Sequence, residues 1–348
     1  MTSAADEPVL SVRDLCTQFA GPDGPVAAVR GVTFDLRSGE KLAIVGESGS
    51  GKSALALSIL RLLEPPGRVV GGEVWLGGRD LMTLSEREMN GVRGMTLALI
   101  VQDPMSALDP VKTVGAQITE AVRRHRGDLS RRAARNAAVE LLREVEVPMA
   151  ERRFGDYPHE YSGGMRQRVV IAMALANDPR VLIADEPTTA LDVTTQAQVL
   201  DLLDRLVADH DTAVILITHN MGLVAGFCDR VQVMYAGRVV ESSAARDIFA
   251  GAVHPYTEAL LRSVPRPDRL QTGPLPYIGG SPPDLTRLPP GCAFEPRCPV
   301  GQGRSVCLTV PPAPESAIAI SGQPQTVECH FAGERMAADP RRESAERQ

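Results

Sequence analysis

Short apolar runs recur along this chain, and each ends at a glycine, a proline or a polar residue. Four runs have the length of a buried strand: residues 42–45, 97–101, 181–184 and 213–217. Such runs, alternating with stretches of helical spacing, are typical of the parallel sheet of an α/β protein. Between residues 9 and 37 the apolar positions alternate with polar ones, which predicts two antiparallel strands with a turn at 21–25.

Two stretches between the apolar runs carry helical signals. Residues 54–63 are rich in good helix formers, and Pro65-Pro66-Gly67 ends that stretch. Residues 114–147 place apolar side chains at the i, i+3, i+4 and i+7 spacing of an amphipathic helical insert. The basic residues of this insert predict a solvated face, not a nucleic-acid site, because few aromatic residues lie among them. They are Arg123, Arg124, Arg126, Arg131, Arg132 and Arg135.

Length and charge narrow the class of protein. A chain of 348 residues suggests about two domains. The net charge of -6 and the pI near 5.6 argue against non-specific nucleic-acid binding. No apolar stretch approaches the roughly 20 residues of a membrane-spanning helix, and the acidic N-terminus does not resemble a signal peptide. We therefore expect a cytoplasmic protein whose membrane work, if any, needs separate membrane subunits.

The stretch from Gly46 to Ser53 carries the clearest chemical signal. It fits the pattern G-x-x-x-x-G-K-[ST] at every defined position and lies between a predicted strand and a predicted helix. Its glycines let successive N–H groups face one anion, and the helix directs its positive end to the same place. Lys52 adds a charge for the β- and γ-phosphates, and the Ser53 hydroxyl suits Mg²⁺. The predicted nucleotide-binding residues are Gly46, Ser48, Gly49, Ser50, Gly51, Lys52 and Ser53.

Polar side chains follow three of the predicted buried strands. Asp185 is placed to hold the Mg²⁺ shell, and Glu186 to polarise an attacking water. Gln102 and His219 end two further strands, where ligands of α/β proteins bind. Taken singly, Gln102 also fits a surface loop, and His219 a structural histidine.

Two other features suit a nucleotide. Ser162, Gly163 and Gly164 precede a stretch of helical spacing and form a second anion-binding helix tip. A plain N-cap would explain Ser162 but not both glycines. Phe19, upstream of the phosphate loop, could stack on a base, and a place in the β-strand core is an equal alternative.

Together these motifs, in this order, resemble the ATPase subunits of ABC transporters over residues 8–250. The resemblance identifies Walker A, the Q-loop at Gln102, the signature motif at Ser162, Walker B at Asp185 and Glu186, the D-loop at Asp192 and the H-loop at His219. Phe19 corresponds to the base-stacking aromatic of the family. The sequence departs from the family at Tyr161, where leucine is usual, and at Asn220, where aspartate is common. Neither change removes a group that touches phosphate.

The resemblance implies a fold and a mechanism. The expected fold is α/β: a P-loop domain with a RecA-like core, an antiparallel β subdomain and an α-helical subdomain near 103–178. Two such domains would dimerise head to tail around ATP and Mg²⁺, with one Walker A facing the other subunit's signature motif. Lys52, Gln102, Glu186 and His219 would form the catalytic set, with Ser53, Gln102 and Asp185 around Mg²⁺.

From residue 251 the composition changes. Sixteen of the 27 prolines lie between Pro255 and Pro340, so few helices or long strands are expected there. The stretch 254–261, together with the surroundings of Cys292, Cys298 and Cys329, resembles the C-terminal region of peptide-transporter ATPases, the dipeptide, oligopeptide and nickel branch of the ABC family. The expected division is a nucleotide-binding domain at 1–250, a mostly irregular C-terminal domain at 251–331 and a disordered tail at 332–348.

Four cysteines of this region have the spacing C-x5-C-x8-C-x21-C: Cys292, Cys298, Cys307 and Cys329. Four thiolates could hold an iron–sulfur cluster or zinc, and unligated cysteines are the third alternative. A [4Fe-4S] cluster is expected first, because members of the resembling branch carry one here. In that case the region could also act as a redox or iron sensor.

The leading hypothesis is an ATPase that powers peptide import from the cytoplasmic face of the membrane. Its implied partners are two membrane permease subunits, a second and non-identical ATPase subunit and an external binding protein. Nickel or another small solute is the first alternative cargo. A soluble ABC ATPase that acts on nucleic acid or ribosomes would be expected to carry tandem ATPase domains or long coiled-coil inserts, and the sequence has neither.

Overall fold

The helices and strands alternate as the apolar pattern predicts. The structure, a computed structural model, describes residues 7–22, 24–189, 191–264 and 277–337. The strands are β1 (Leu10–Gly21), β2 (Gly24–Leu36), β3 (Lys41–Val45), β4 (Gly67–Leu76), β5 (Arg79–Asp80), β6 (Leu97–Ile100), β7 (Val181–Asp185), β8 (Ala213–Thr218), β9 (Arg230–Tyr235), β10 (Arg238–Ala244), β11 (Glu315–Ile318) and β12 (Pro324–Val327).

The α-helices are mostly short. They are α1 (Lys52–Ile59), α2 (Glu86–Val92), α3 (Pro104–Ala107), α4 (Val114–His125), α5 (Arg131–Glu144), α6 (Ala150–Arg153), α7 (Gly163–Leu175), α8 (Val193–Asp209), α9 (Met221–Phe227), α10 (Ala245–Gly251), α11 (Pro255–Arg262), α12 (Ser305–Thr309) and α13 (Ala332–Ala337). Among the described residues, no helix is both long enough and apolar enough to cross a membrane.

The described residues form two compact units. The first unit comprises residues 7–11, 35–40 and 74–217, and the second comprises 12–34, 41–73 and 218–337.

In the first unit, three parallel strands form the sheet. β6 pairs with β7 in the register Leu97↔Val181, and β7 pairs with β8 in the register Val181↔Ala213. Nearly all side chains of these strands are buried, which matches their continuous apolar sequence. Their carboxyl ends therefore meet at one edge of the sheet, where Gln102 and Asp185 follow.

The predicted helical insert consists of two helices of the first unit, α4 and α5. Ala138, Leu142 and Val145 are buried, as the spacing predicts. The arginines at 123, 124, 131, 132 and 135 are exposed, which confirms the solvated face. Arg126 is the exception, since it is half-buried and pairs with Asp178 at 2.8 Å.

In the second unit, β3 pairs in parallel with β9, and β9, β10, β12 and β11 follow one another in antiparallel pairs. β1 and β2, the strands predicted over 9–37, are neighbours in a separate sheet with β4. The strand β3 leads directly into the glycine loop and α1, as the sequence predicts.

The C-terminal part of the second unit is largely irregular but has cores of its own. Val253, Val327, Cys329, Ala332 and Met336 form one buried cluster. The helix α13 thus occupies the first six residues of the segment for which composition predicts disorder, because Ala332 and Met336 find apolar partners far away in sequence. Residues 338–348 of that predicted tail lie outside the described residues.

Candidate functional site

The glycine loop between β3 and α1 is shaped by close backbone contacts. A Cβ atom on Gly46 would lie 2.3 Å from the carbonyl oxygen of Met234. Gly51 has φ +103°, and a Cβ there would lie 2.2 Å from the carbonyl oxygen of Ala28. Because both positions exclude any side chain, the loop presents backbone groups and is able to curl around an anion.

The loop also carries the side chains that the sequence assigns to phosphate and Mg²⁺. Lys52 is 5% exposed, and its Nζ donates to the carbonyl oxygens of Gly46 at 2.8 Å and Glu47 at 2.9 Å. The Ser53 hydroxyl is exposed in the first turn of α1, whose N-cap, Gly51, provides no side-chain cap. The positive end of α1 is therefore open to an anion.

Phe19 is half-buried and lines a cavity. One edge of its ring packs against Gly67, where an added Cβ would lie 2.5 Å from Cε1. The cavity measures about 310 Å³ and is bordered by Gln18, Phe19, Gly21, Pro25 and Arg68. This volume accommodates a planar ring, so the position suits the base-stacking hypothesis.

In the first unit, the structure brings Gln102 and Glu186 into direct contact. Glu186 Oε2 accepts hydrogen bonds from Gln102 Nε2 at 2.8 Å and from Thr189 Oγ1 at 2.9 Å. The backbone of Glu186 has φ +46° and is fixed by its N–H bond to the Ile217 carbonyl at 2.9 Å. A left-handed non-glycine residue costs free energy and is often found at functional sites.

Thr189 is a site residue that sequence reasoning missed. Its only sequence signal is its place three residues after Glu186, within a turn. The contact with the carboxylate depends on the turn conformation, which the apolar pattern does not encode.

Asp185 lies half-buried at the end of β7, beside Glu186. The carboxylate of Asp185 and the hydroxyl of Ser53 are hard oxygen ligands of the kind that Mg²⁺ prefers, so these residue types fit the expected ion. When bound with ATP, Mg²⁺ would neutralise charge on the phosphates.

The second glycine tip lies at the start of α7. Ser162 caps the helix through its hydroxyl, which accepts from the Met165 N–H at 3.4 Å, and both Ser162 and Gly163 are exposed. A Cβ on Gly164 would lie 2.6 Å from Thr195 Cγ2 on α8, so this glycine permits the helices to pack. The helix tip is thus open to solvent in the way an anion site requires.

The structure explains why Tyr161 can replace the usual leucine. Its ring is 2% exposed, and its hydroxyl donates to the Arg153 carbonyl at 2.9 Å. Burial raises the pKa of Tyr161 to about 12, so the hydroxyl stays neutral. The tyrosine therefore serves as an apolar residue with one satisfied polar atom.

Asp192 and His219 both follow the site strands and lie on the surface. Asp192 is the N-cap of α8 and accepts from the Thr195 N–H at 3.0 Å. These hydrogen bonds lower the pKa of Asp192 and keep it charged. His219 is exposed after β8, and Asn220 caps α9, which is a role that asparagine fulfils as well as the usual aspartate.

The predicted metal centre on the four cysteines is not supported. Within the described residues, which include all four, no group of three or more Cys, His, Asp or Glu side chains is placed to hold a metal ion. The thiols are nonetheless neighbours: a Cβ on Gly301 would lie 2.8 Å from Cys307 Sγ and 3.5 Å from Cys298 Sγ. Burial raises the pKa of Cys292 to about 11 and also raises the pKa of Cys307 and of Cys329. Cys329 also lies in the apolar cluster around Val327.

Comparison with known proteins decides the family. The chain is 50% identical over 304 residues to the oligopeptide transport ATP-binding protein OppD of Salmonella typhimurium, covering 87% of this chain and 89% of that protein. The chain belongs to the ATP-binding subunits of ABC transporters. The ABC transporter family model matches residues 29–189, and the model of the oligopeptide/dipeptide transporter C-terminal region matches residues 240–307.

A second curated relative and a solved structure agree with this family assignment. It is 52% identical to the dipeptide transport ATP-binding protein DppD of Bacillus subtilis, over 84% of this chain and 87% of that protein. Among solved structures it resembles the ATP-binding cassette MJ0796, described as a dimer in a post-hydrolysis state bound to ADP and phosphate. The TM-score is 0.61 at 28% identity, covering 68% of this chain and 99% of that one. The ABC-type α/β fold expected from the sequence is confirmed, and the chain is an ABC ATPase that couples ATP hydrolysis to transport.

Proposed function

We propose that this subunit powers the import of dipeptides or oligopeptides through a membrane complex. The observation that supports the cargo is the match of residues 240–307 to the C-terminal region of oligopeptide and dipeptide transporters, together with relatives named for those cargoes. Nickel or another solute, and action on nucleic acid or ribosomes, are not favoured. Uptake of labelled peptides by cells with and without the intact complex tests the cargo.

Each site residue has a proposed role. The loop from Gly46 to Ser53 binds the phosphates, with Lys52 on the β- and γ-phosphates. Glu186 positions the attacking water, and Gln102 and Thr189 hold its carboxylate in place through the two hydrogen bonds described above. As a carboxylate, Glu186 is able to accept a proton from that water.

The remaining residues are assigned by their place in the fold. Ser162, Gly163 and Gly164 contact the γ-phosphate of ATP bound to a partner subunit, and Asp192 and His219 complete the shared site. Phe19 stacks on the adenine. Asp185 and Ser53 hold Mg²⁺. In this scheme one chain supplies half of each of two sites, so hydrolysis requires two ATPase subunits.

Replacement of Glu186 by Gln tests the catalytic assignment. The amide still accepts a hydrogen bond but no longer takes a proton, so we expect ATP to bind while hydrolysis by the assembled complex falls at least a hundredfold. Glu144→Gln, on the exposed end of α5, is the matched control. Hydrolysis that stays at the wild-type rate in Glu186→Gln would remove Glu186 from this role.

The surface just after Gln102 is the proposed contact with the permeases. Met105 on α3 is 41% exposed and Val111 is 80% exposed, in a segment that directly follows the Gln102–Glu186 contact. A movement of a permease loop packed on this segment would reach the Glu186 carboxylate through its contact with Gln102. Val111→Asp should weaken co-purification with the permeases, whereas Ile318→Asp, on the exposed side of β11, should not.

We also propose where the subunit lies and which proteins it assembles with. The subunit is peripheral at the cytoplasmic face, its partner ATPase is non-identical, and an external protein delivers the peptide. The domain division at residues 250 and 331 also stays a proposal. Co-purification of the complex from membranes, with identification of each subunit, tests the membrane association and the partner subunits.

An iron–sulfur cluster on the four cysteines remains a prediction from sequence, which the described geometry does not support. Anaerobic purification with iron analysis and visible absorbance tests it. A colourless protein with stoichiometric zinc would favour zinc, and a protein without either metal would leave the thiols unligated.

A further inference from the structure

Glu47, the second residue of the phosphate loop, is held by two side chains from the C-terminal part of the chain. The Tyr256 hydroxyl accepts a hydrogen bond from the Glu47 backbone N–H at 2.8 Å. The guanidinium of Arg297 donates Nη1 to Glu47 Oε2 at 2.7 Å and Nη2 to Oε1 at 2.9 Å. All three residues lie in the second unit. Both the backbone and the carboxylate of this loop residue are therefore fixed by distant residues.

Arg297 is itself rigidly placed. Its side chain is 4% exposed, and its Nε donates to the Gly279 carbonyl at 2.8 Å. The guanidinium also lies near the rings of Tyr235 and Phe294, 5.9 and 6.0 Å from their centroids. The hydrogen bonds to Glu47 raise the pKa of Arg297, so the guanidinium stays charged. A two-point pair of this kind fixes orientation as well as distance.

Tyr256 is equally well fixed. It is fully buried in the first turn of α11, with its ring 4.6 Å from the Tyr235 centroid and 5.4 Å from that of Phe294. Tyr235 ends β9, the neighbour of β3, and Met234 before it forms the close contact with Gly46. The rings of Tyr235, Tyr256 and Phe294 thus pack together and against Arg297. The same cluster adjoins Met234, whose carbonyl contacts the glycine loop.

We propose that the C-terminal segment sets the conformation of the phosphate loop through Arg297 and Tyr256, and thereby the affinity of this subunit for nucleotide. Both are positioning residues, since they act on the loop and not on the phosphates. The loop contains several glycines in left-handed conformations, and such a backbone is mobile unless its surroundings restrain it. Ordering it before the nucleotide arrives removes an entropic cost from binding. The inference rests on the proposed phosphate-binding role of the loop, which Lys52→Ala tests separately.

The test compares nucleotide affinity of the full chain with the pair intact and broken. Arg297→Gln and Glu47→Gln should each raise the Kd for MgATP about tenfold, the usual size of a coupling between sites. The double variant should be no weaker than either single one, because the pair is then already lost. Arg297→Lys, which keeps the charge but not the two-point geometry, should fall between. Tyr256→Phe should also raise the Kd.

A second pair in the same unit provides the matched control. Arg238 and Glu328 form a comparable two-point pair, with Nε to Oε2 at 2.9 Å and Nη2 to Oε1 at 2.8 Å, between β10 and the C-terminal segment. It does not touch the loop in the described contacts. Glu328→Gln should therefore change thermal stability but leave the Kd for MgATP unchanged.

Several outcomes would overturn the proposal. These are an unchanged Kd in Glu47→Gln, equal losses of affinity in Glu328→Gln, or fully additive effects in the double variant. If Arg297→Gln does not fold, Glu47→Gln decides alone, since it keeps every residue of the C-terminal segment. A loss of binding in Lys52→Ala with no effect of the pair would leave the phosphate role intact and remove only the proposed control by the C-terminal segment. In the assembled complex, the pair variants should raise KM more than they lower kcat, whereas a loss of folded protein would lower the apparent kcat and leave KM unchanged.

Discussion

The buried carboxylate of Glu241 gives the sharpest prediction for stability. Glu241 lies on β10 and is 0% exposed. Its Oε1 accepts from the Val253 N–H at 2.8 Å and from Gln325 Nε2 at 2.9 Å, and its Oε2 accepts from the His254 N–H at 3.0 Å. One side chain thus joins β10, the start of α11 and β12.

Replacing Glu241 by Gln removes one acceptor. In the better orientation, the amide oxygen keeps the place of Oε1, and the amide nitrogen then faces the His254 N–H, donor against donor. A buried N–H without an acceptor costs about 2 kcal/mol, within a range of roughly 1–3. Since about 1.4 kcal/mol is a factor of ten, amide exchange in the stretch 252–262 should become roughly 30-fold faster. Glu241→Leu removes all three acceptor contacts and should have a larger effect.

Hydrogen exchange with mass spectrometry measures this stretch directly, and Glu315→Gln on the exposed strand β11 is the control. Burial also raises the pKa of Glu241, so the folded state holds its proton to higher pH than the unfolded state does. The stability that Glu241 contributes should therefore fall as pH rises above about 4.5, and Glu241→Gln should lose this slope. Unchanged amide protection of residues 252–262 in both Glu241→Gln and Glu241→Leu would refute the reasoning.

Substitutions at three other positions test the site and the stability of the fold. Thr189→Val removes one hydrogen bond to Glu186 and should lower kcat about tenfold with little change in KM. Thr189→Ser keeps a hydroxyl and should retain most of the wild-type kcat. Equal kcat values for the wild type and both variants would contradict the role of Thr189. Gly51→Ala should abolish MgATP binding without unfolding the chain, because a Cβ cannot fit 2.2 Å from the Ala28 oxygen, and normal binding would show that the loop tolerates a different shape. Burial lowers the pKa of His254 to about 3, so the wild type should lose stability as pH falls from about 6.5 toward 3. The His254→Asn variant should lose less stability over that range. Thermal unfolding between pH 3 and 7 measures the difference.

The sequence predicted the elements that local chemistry controls. The strand before the glycine loop, the helix after it and the continuous apolar runs of β6, β7 and β8 follow from length and composition over a few residues. The order of the motifs identified the family, which the comparisons confirm. The family resemblance favoured an iron–sulfur cluster on the four cysteines, with zinc or unligated thiols as alternatives. The geometry of the described residues does not support a metal site there.

Contacts between residues far apart in the sequence could not be predicted from it. Glu47 and Arg297 are 250 positions apart, and the place of Arg297 beside Cys298 gives no sign of a contact with the glycine loop. Tyr161 and Glu241 are polar residues whose burial depends on partners from other elements.

The amino-acid sequence by itself predicted the phosphate loop and the carboxylate pair and identified the family, since these depend on residue types at fixed short spacing. Only the tertiary structure decided which distant side chains hold the loop and Glu186 in place. The reason is physical: a hydrogen bond or an ion pair depends on distance and angle in space, and the chain brings such groups together only when the whole second unit, or the whole first unit, has folded.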